Sequence, residues 1–405
     1  MDYFKPLNHY IWFFNKKYKM KKIGIIPLRK DSKGLPGKNK KKMVGRPLFS
    51  WVLTEAIFSD LDAVYVFTND TEIISYIERE YYWTNKIFAV LRNEENANDT
   101  ASTESTMMEF SEKINHEYAV LCLLQATSPL TLAADINKVL DKIIIEKYDS
   151  ALTVVNTHRF TWNSDGTPQN YDVFNRPRRQ DFEGLLIENG AVYSTKKELF
   201  LTSKNRVSGN IGLVTMPEET LMEIDSISDW GIIENLLTER QKKCKTQQRI
   251  SYLVLDVDGV FTDGGVYYNE EGEMAKKFDM RDGMGLEILR ENNVEVITLT
   301  SENSKLVAQR MVKLQIKEAF FGVKDKYSFL KQFLATKNSS FGAVAYVGDD
   351  VNDLANMCSS SLSFAPANAT AIVKLNADFV LGTASGAGAI REVCEMLLKY
   401  NKRYD

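Results

Sequence analysis

Short apolar runs separated by helical patterns recur along this chain. Ile23–Ile26, Ala63–Phe67, Ala119–Leu124 and Asp149–Val155 each read as a strand buried on both faces, as in a parallel sheet. Between them, Pro47–Phe58 and Thr71–Arg79 carry helical spacing. The alternation predicts an α/β fold with a mainly parallel sheet. The first run is expected to end at Pro27, and Trp230–Leu237 reads as a helix. Thr238–Arg249 is then polar and nearly free of apolar residues, which marks a boundary. A second α/β series follows, with strand-like Tyr252–Leu255, Val296–Thr300 and Ala345–Val347. Gly265–Phe278 alternates as a hairpin turning at Asn269–Gly272. The pattern therefore divides the chain into an extension, 1–21, and two α/β domains, 22–242 and 250–405.

Composition narrows the chemistry. A chain of 405 residues is long for one domain, and a net charge of −3 gives no whole-protein case for nucleic acid. Four scattered cysteines with no C-x-x-C pair fit a reducing, cytoplasmic setting without structural zinc. Three histidines leave little for a histidine-based centre, so any metal is expected to be a hard cation held by carboxylates. No run approaches the roughly 18 apolar residues of a membrane span. The aromatic, basic stretch before Lys22 lacks a signal-peptide core. Met20-Lys-Lys resembles a natural start, so that stretch reads as an upstream extension.

Candidate chemistry falls at strand ends, where open α/β sheets bind ligands. The loop after Ile26 holds Arg29, Lys30, Lys33 and Lys38 beside Gly34 and Gly37. Cations and close-approaching backbone in one loop predict a polyphosphate ligand. It is neither G-x-x-x-x-G-K-[ST] nor G-x-G-x-x-G. Its pattern, R-x-x-S-K-G-x-P-x-K-N, resembles the nucleotide loop of the cytidylyltransferases that activate 2-keto sugar acids, CMP-sialic acid synthetases above all. Arg92 before Asp99-Thr-Ala-Ser102, Leu123–Leu130, Arg176–Asp181, Glu188–Ala191 and Ile224-Asp225 follow in that family's order, so the resemblance covers nearly all of 22–237. It implies a Rossmann-like nucleotidyltransferase in which a sugar hydroxyl attacks the α-phosphate of CTP and pyrophosphate leaves. It further implies that Arg29 and Lys38 hold the triphosphate, that Ser32, Asn39, Arg92 and Gln125 line the nucleotide site, and that Arg178, Arg179, Gln125 and Asn189 bind the sugar acid. Arg suits its carboxylate as a fork. Where the family places D-I-D at the metal, this chain has Glu223-Ile-Asp225. Strand alternation would put both carboxylates on one face, but Mg²⁺ is strict about geometry. Asp225 is the firmer ligand, and Glu223 is either a ligand or a solvated residue.

In the second series, four strand ends carry Asp256/Asp258, Thr300, Lys326 and Asp349/Asp350 with Asp353. The set resembles the haloacid dehalogenase superfamily of phosphatases. The resemblance implies Asp256 as nucleophile, Asp258 as general acid and base, Thr300 and Lys326 as phosphoryl contacts. It places Mg²⁺ on Asp256, Asp258 and Asp349, with Asp350 or Asp353 in support. The short insert resembles the capless branch that includes 3-deoxy-octulosonate 8-phosphate phosphatase, whose members typically form tetramers. Glu302, two residues after Thr300, and Lys313 resemble the branch acting on nine-carbon sugar acid 9-phosphates; the alternative is that both are solvated helix charges.

Together these imply a bifunctional enzyme. It would dephosphorylate a sialic acid or KDN 9-phosphate and join the free acid to CMP with Mg²⁺, as a homotetramer assembled through the C-terminal domain. The alternatives are a cytidylyltransferase whose C-terminal domain only tetramerises, or activity on octulosonate or legionaminic acid.

Overall fold

The computed structural model describes residues 21–30, 34–98 and 101–404. The extension up to Met20, Ser32, and the Asp99-Thr pair after Arg92 lie outside the described residues.

The first unit is built on a seven-stranded sheet. Its order is Ile87–Leu91, Ala63–Thr68, Lys22–Leu28, Val120–Leu124, Leu185–Lys196, Ser150–Thr157, Ile211–Met216. Only Leu185–Lys196 runs against its neighbours. The central strands Lys22–Leu28, Ala63–Thr68 and Val120–Leu124 are almost wholly buried and apolar because both their faces are covered, whereas the edge strand Ile211–Met216 alternates buried and exposed. Ile26, Val64, Val66, Cys122 and Leu124 pack into one layer, and Ile23, Ile25, Phe67, Leu121 and Leu123 into the other.

Three local expectations change. The first strand continues through Pro27 to Leu28, pairing Pro27 with Phe67. The ladder to Val120–Leu124 has already ended at Ile25, so the missing N–H falls where only one neighbouring strand remains. Glu223–Asp225 belongs to no strand. Finally, the helix at Trp230 runs Ile227–Lys243, into the polar stretch. A capping box between Ser226 and Asp229 starts it, and Arg240, Lys242 and Lys243 favour its carboxyl end.

The second unit is a six-stranded parallel sheet, ordered Glu318–Phe320, Glu295–Leu299, Tyr252–Leu255, Val344–Val347, Leu362–Ala365, Phe379–Val380. A two-stranded hairpin, Tyr267–Asn269 with Gly272–Ala275, follows its first strand. Leu253, Leu255 and Val347 face a core of their own unit. Val254, Val344 and Tyr346 face a core shared with Val44, Trp51 and Trp230 of the first unit. Parallel register brings Asp256, Thr300 and Asp349 to one edge. Among the described residues no helix is long and apolar enough to cross a membrane.

Candidate active sites

At the first sheet, Arg29 follows the central strand. The Asn39 amide, buried, donates to the Arg29 carbonyl at 3.1 Å and fixes the loop. Lys38 Nζ donates to the Ile224 carbonyl at 2.7 Å and lies 3.4 Å from Asp225 Oδ1. The loop is thus drawn onto the Glu223–Asp225 segment. Asp225 is 80% exposed at its side chain. Glu223 is tucked beneath Gly190, and burial, then the neighbouring Asp225, raises its pKa. Arg92 is buried and donates to the Asn96 carbonyl and to Thr106 Oγ1 at 2.5 Å. Burial lowers its pKa, and so does nearby Arg29, while Glu109 opposes. Arg92 close enough to Arg29 to feel its charge, and Lys38 beside Asp225 and Glu223, form a site for an anion and a cation together. Gln125 lies at the same strand-end level, its N–H bonded to the Ala191 carbonyl.

Asn189 is not in this opening. Its side chain is 1% exposed, accepts from Thr153 Oγ1 at 2.6 Å and donates to Thr220 Oγ1 at 3.1 Å. It faces inward, its amide engaged by Thr153 and Thr220 rather than presented to the opening. Arg178 and Arg179 stand on an exposed stretch, paired with Asp181 at 2.8 Å and Glu218 at 3.6 Å.

At the second sheet, Lys326 Nζ is fully buried between Asp256 Oδ1 at 2.9 Å and Asp353 Oδ1 at 2.8 Å. Tyr346 OH also donates to Asp353, at 2.7 Å, and the Asp349 N–H donates to Asp353 Oδ2 at 3.2 Å. Asp353, not Asp350, therefore joins the cluster; Asp350 instead accepts from the Val351 N–H. Carboxylate oxygens of Asp256, Asp349 and Asp353 lie within 4.8 Å of one another. Burial, then Asp353, pushes Asp256 well above the ordinary carboxylate range and Asp349 up to about 7. Burial works against the Lys326 ammonium, but Asp256 and Asp353 outweigh it and raise its pKa. Asp349 Oδ1 is buried without a partner. An all-oxygen set with an orphaned carboxylate oxygen fits a hard divalent cation. Asp258 is outside the set: its carboxylate is turned to Lys276 Nζ at 2.6 Å, and Lys276 also meets Glu273 at 3.1 Å.

Thr300 is buried at its strand end, its Oγ1 accepting from the Glu302 N–H at 3.2 Å. Glu302 pairs with Lys324 at the rim. Lys313 is exposed at the far end of the helix Lys305–Lys313, so one chain does not bring it to Glu302. The sequence reading missed Lys276. It is one of two adjacent lysines, Lys276 and Lys277, just past the second arm of the hairpin, and spacing does not tell which of them turns inward.

A cytidylyltransferase family model matches residues 23–249, and a haloacid dehalogenase-like hydrolase model matches 299–393. N-acylneuraminate cytidylyltransferase B of Danio rerio is 30% identical over 393 residues, covering 94% of this chain and 91% of that protein. This chain belongs to the N-acylneuraminate cytidylyltransferase family. Its trout relative, from Oncorhynchus mykiss, is likewise 30% identical over 94% of this chain and 89% of its own length. The C-terminal part of this family member is also similar to the 3-deoxy-D-manno-octulosonate 8-phosphate phosphatase KdsC of Haemophilus influenzae. That relative is 36% identical over 152 residues, 38% of this chain and 84% of its own. A solved cobalt-bound form of the Haemophilus influenzae octulosonate phosphatase shares 35% identity over 38% of this chain and 90% of its own, with a TM-score of 0.37. A cytidylyltransferase half and a haloacid dehalogenase-like hydrolase half thus share one chain.

Proposed function

We propose that the chain catalyses two consecutive steps: release of phosphate from a nine-carbon 2-keto sugar acid 9-phosphate, then transfer of CMP from CTP to the free acid. Residues 22–242 are the transferase unit and 250–405 the phosphatase unit. The observation that carries the reading is the buried Asp256–Lys326–Asp353 cluster with Asp349 beside it, where three carboxylates converge within 4.8 Å and Asp349 Oδ1 is left without a partner, as a site for a hard cation requires.

In the phosphatase step, an Asp256 oxygen attacks phosphorus and the P–O bond to the sugar breaks. Asp258, steadied by Lys276, gives the leaving alkoxide its proton and afterwards takes one from the water that opens the aspartyl-phosphate. Thr300 and Lys326 hold the phosphoryl oxygens. Asp256, Asp349 and Asp353 would hold Mg²⁺, which supplies charge neutralisation where two anions meet. In the transfer step, Arg29, Lys38 and Arg92 balance charge on the CTP phosphates, with Gln125 beside them and Asn39 holding the loop. Arg178 and Arg179, on an exposed stretch and held only by surface pairs with Asp181 and Glu218, would turn to the sugar carboxylate. Glu223 and Asp225 would hold the second Mg²⁺.

Exposed Tyr267, Tyr268 and Met274 on the hairpin, with Met280 and Met284 beyond it, support self-association through the C-terminal unit as a homotetramer. Four unpaired cysteines suit the cytoplasm.

The test is a coupled assay with CTP, Mg²⁺ and KDN or sialic acid 9-phosphate, following free phosphate and CMP-sugar together. Phosphate should appear first and CMP-sugar after a lag. Asp256→Asn should abolish phosphate release and leave transfer to the unphosphorylated acid intact. A parent that transfers CMP but releases no phosphate sinks the two-step reading.

A further inference from the structure

A buried charged junction joins the two units, and neither proposed reaction uses it. Arg46 opens the second of two short paired strands of the transferase unit, Lys42–Met43 and Arg46–Pro47, just after the turn at Val44-Gly45. Asp325 caps the phosphatase helix Lys326–Thr336. The two residues are 3% and 2% exposed. Arg46 Nε donates to Asp325 Oδ1 at 2.9 Å, and Nη2 donates to Oδ2 at 2.8 Å, a two-pronged fork. The guanidinium is stacked between Trp51, 4.6 Å from its ring centre, and Tyr327, 4.5 Å away.

The rest of the junction converges on the same residue. Tyr81 OH donates to Asp325 Oδ2 at 2.6 Å. Glu80 accepts from the backbone N–H groups of Lys324, at 2.7 Å, and Asp325, at 3.0 Å. Burial opposes the Asp325 charge, but Arg46 outweighs it and lowers the Asp325 pKa. Next to Arg46, Gly45 has φ +80° and lies so close to the Val351 carbonyl that any Cβ would collide with it. Val351 belongs to the loop from Asp349 to Asp353. One turn of the transferase therefore touches two segments of the phosphatase cluster: the residue before Lys326 and the loop that carries Asp349 and Asp353.

A buried ion pair is poor evidence for stability, because apolar side chains of similar size often serve as well. A fork does fix direction. Lys326 must stand between two carboxylates at 2.8–2.9 Å, and a displacement of about 1 Å at a reacting group can cost on the order of a hundredfold in rate. From this geometry we infer that Arg46 is a positioning residue for the phosphatase: acting through Asp325, it sets Lys326 against Asp256, so the C-terminal site is complete only when the transferase unit is docked. The inference rests on the phosphatase reading above.

The test uses the full chain. Phosphatase kinetics on the sugar acid 9-phosphate, CMP transfer to the free acid and thermal unfolding are measured for parent, Arg46→Met and Arg46→Lys. For Arg46→Met the expected result is a phosphatase kcat lowered at least about tenfold with KM nearly unchanged, and CMP transfer close to parent. Arg46→Lys keeps the charge without the fork. It should show the same split to a lesser degree, and it carries the comparison if the Met variant does not fold. A folded Met variant with parental phosphatase kcat overturns the inference. So does a parallel loss of both activities that tracks the melting temperature, since that is a structural bond only. A parent that releases no phosphate overturns the phosphatase reading itself, which separates the two failures.

Discussion

Gly190 lies directly under the Glu223 carboxylate with φ +70°, and any Cβ there would overlap Glu223 Oε1. Gly190→Ala must therefore meet a left-handed backbone cost of about 1–2 kcal/mol and displace the Glu223 carboxylate from its present position. The expected outcome is CMP-transfer kcat/KM reduced about tenfold or more, roughly 1.4 kcal/mol, with phosphate release unchanged. Steady-state assays of both reactions on one preparation check it, and equal losses would argue against a local effect. At this scale the sequence was legible wherever chemistry is tied to a strand end. Asp256, Thr300, Lys326 and Asp349 converge because parallel register brings such ends to one edge. It was not legible where direction matters: Asn189 sits in a motif yet points inward, and Asp258 is claimed by Lys276. Residue type and spacing do not encode which way a side chain turns.

Elements were legible from periodicity and blurred at their ends. The hairpin turns where Asn269 and Gly272 predict it, whereas the helix Ile227–Lys243 overruns a polar stretch because its carboxyl end is favoured by lysines rather than by an apolar face. Packing between elements left no such trace. Asp282 lies in the first turn of the helix Met280–Glu291 and accepts from the Arg391 N–H, at 2.9 Å, of the C-terminal helix Ala389–Asn401. Its other oxygen is buried without a partner. Burial is the main cause that raises its pKa from 3.8 to about 6. Between those values the folded chain holds a proton that the unfolded chain releases, so stability falls as pH rises from about 4 to about 6 and stays lowered above that. Asp282→Asn keeps the acceptor and removes the charge. Its stability relative to parent should grow across that window by about 3 kcal/mol, then level off. Urea unfolding across the window checks it; a difference independent of pH would mean the carboxyl is ionised throughout.

On the scale of the whole molecule, two catalytic units could unfold independently, as modules joined by a polar linker do. Here they share an interior. Val44, Leu48, Trp51, Leu130, Trp230 and Leu237 of the first unit lie in one continuous cluster with Val254, Tyr327, Leu330, Tyr346 and Met357 of the second. The Arg46–Asp325 fork and the Glu55–Lys331 pair, at 2.6 Å, cross the same surface. Burying a large apolar side chain contributes about 1.5–3 kcal/mol, so even about four that depend on the other unit for cover rival a typical domain's net stability of about 5–15 kcal/mol. Neither half can then melt and leave the other at its native stability. Calorimetry on the full chain should give one transition, with calorimetric and van't Hoff enthalpies that agree. Residues 244–405 expressed alone should melt well below the full chain. Two resolved transitions, or a fragment as stable as the parent, would mean the shared core is a contact surface and not a common interior, and would remove the physical basis for the transferase holding the phosphatase site in register.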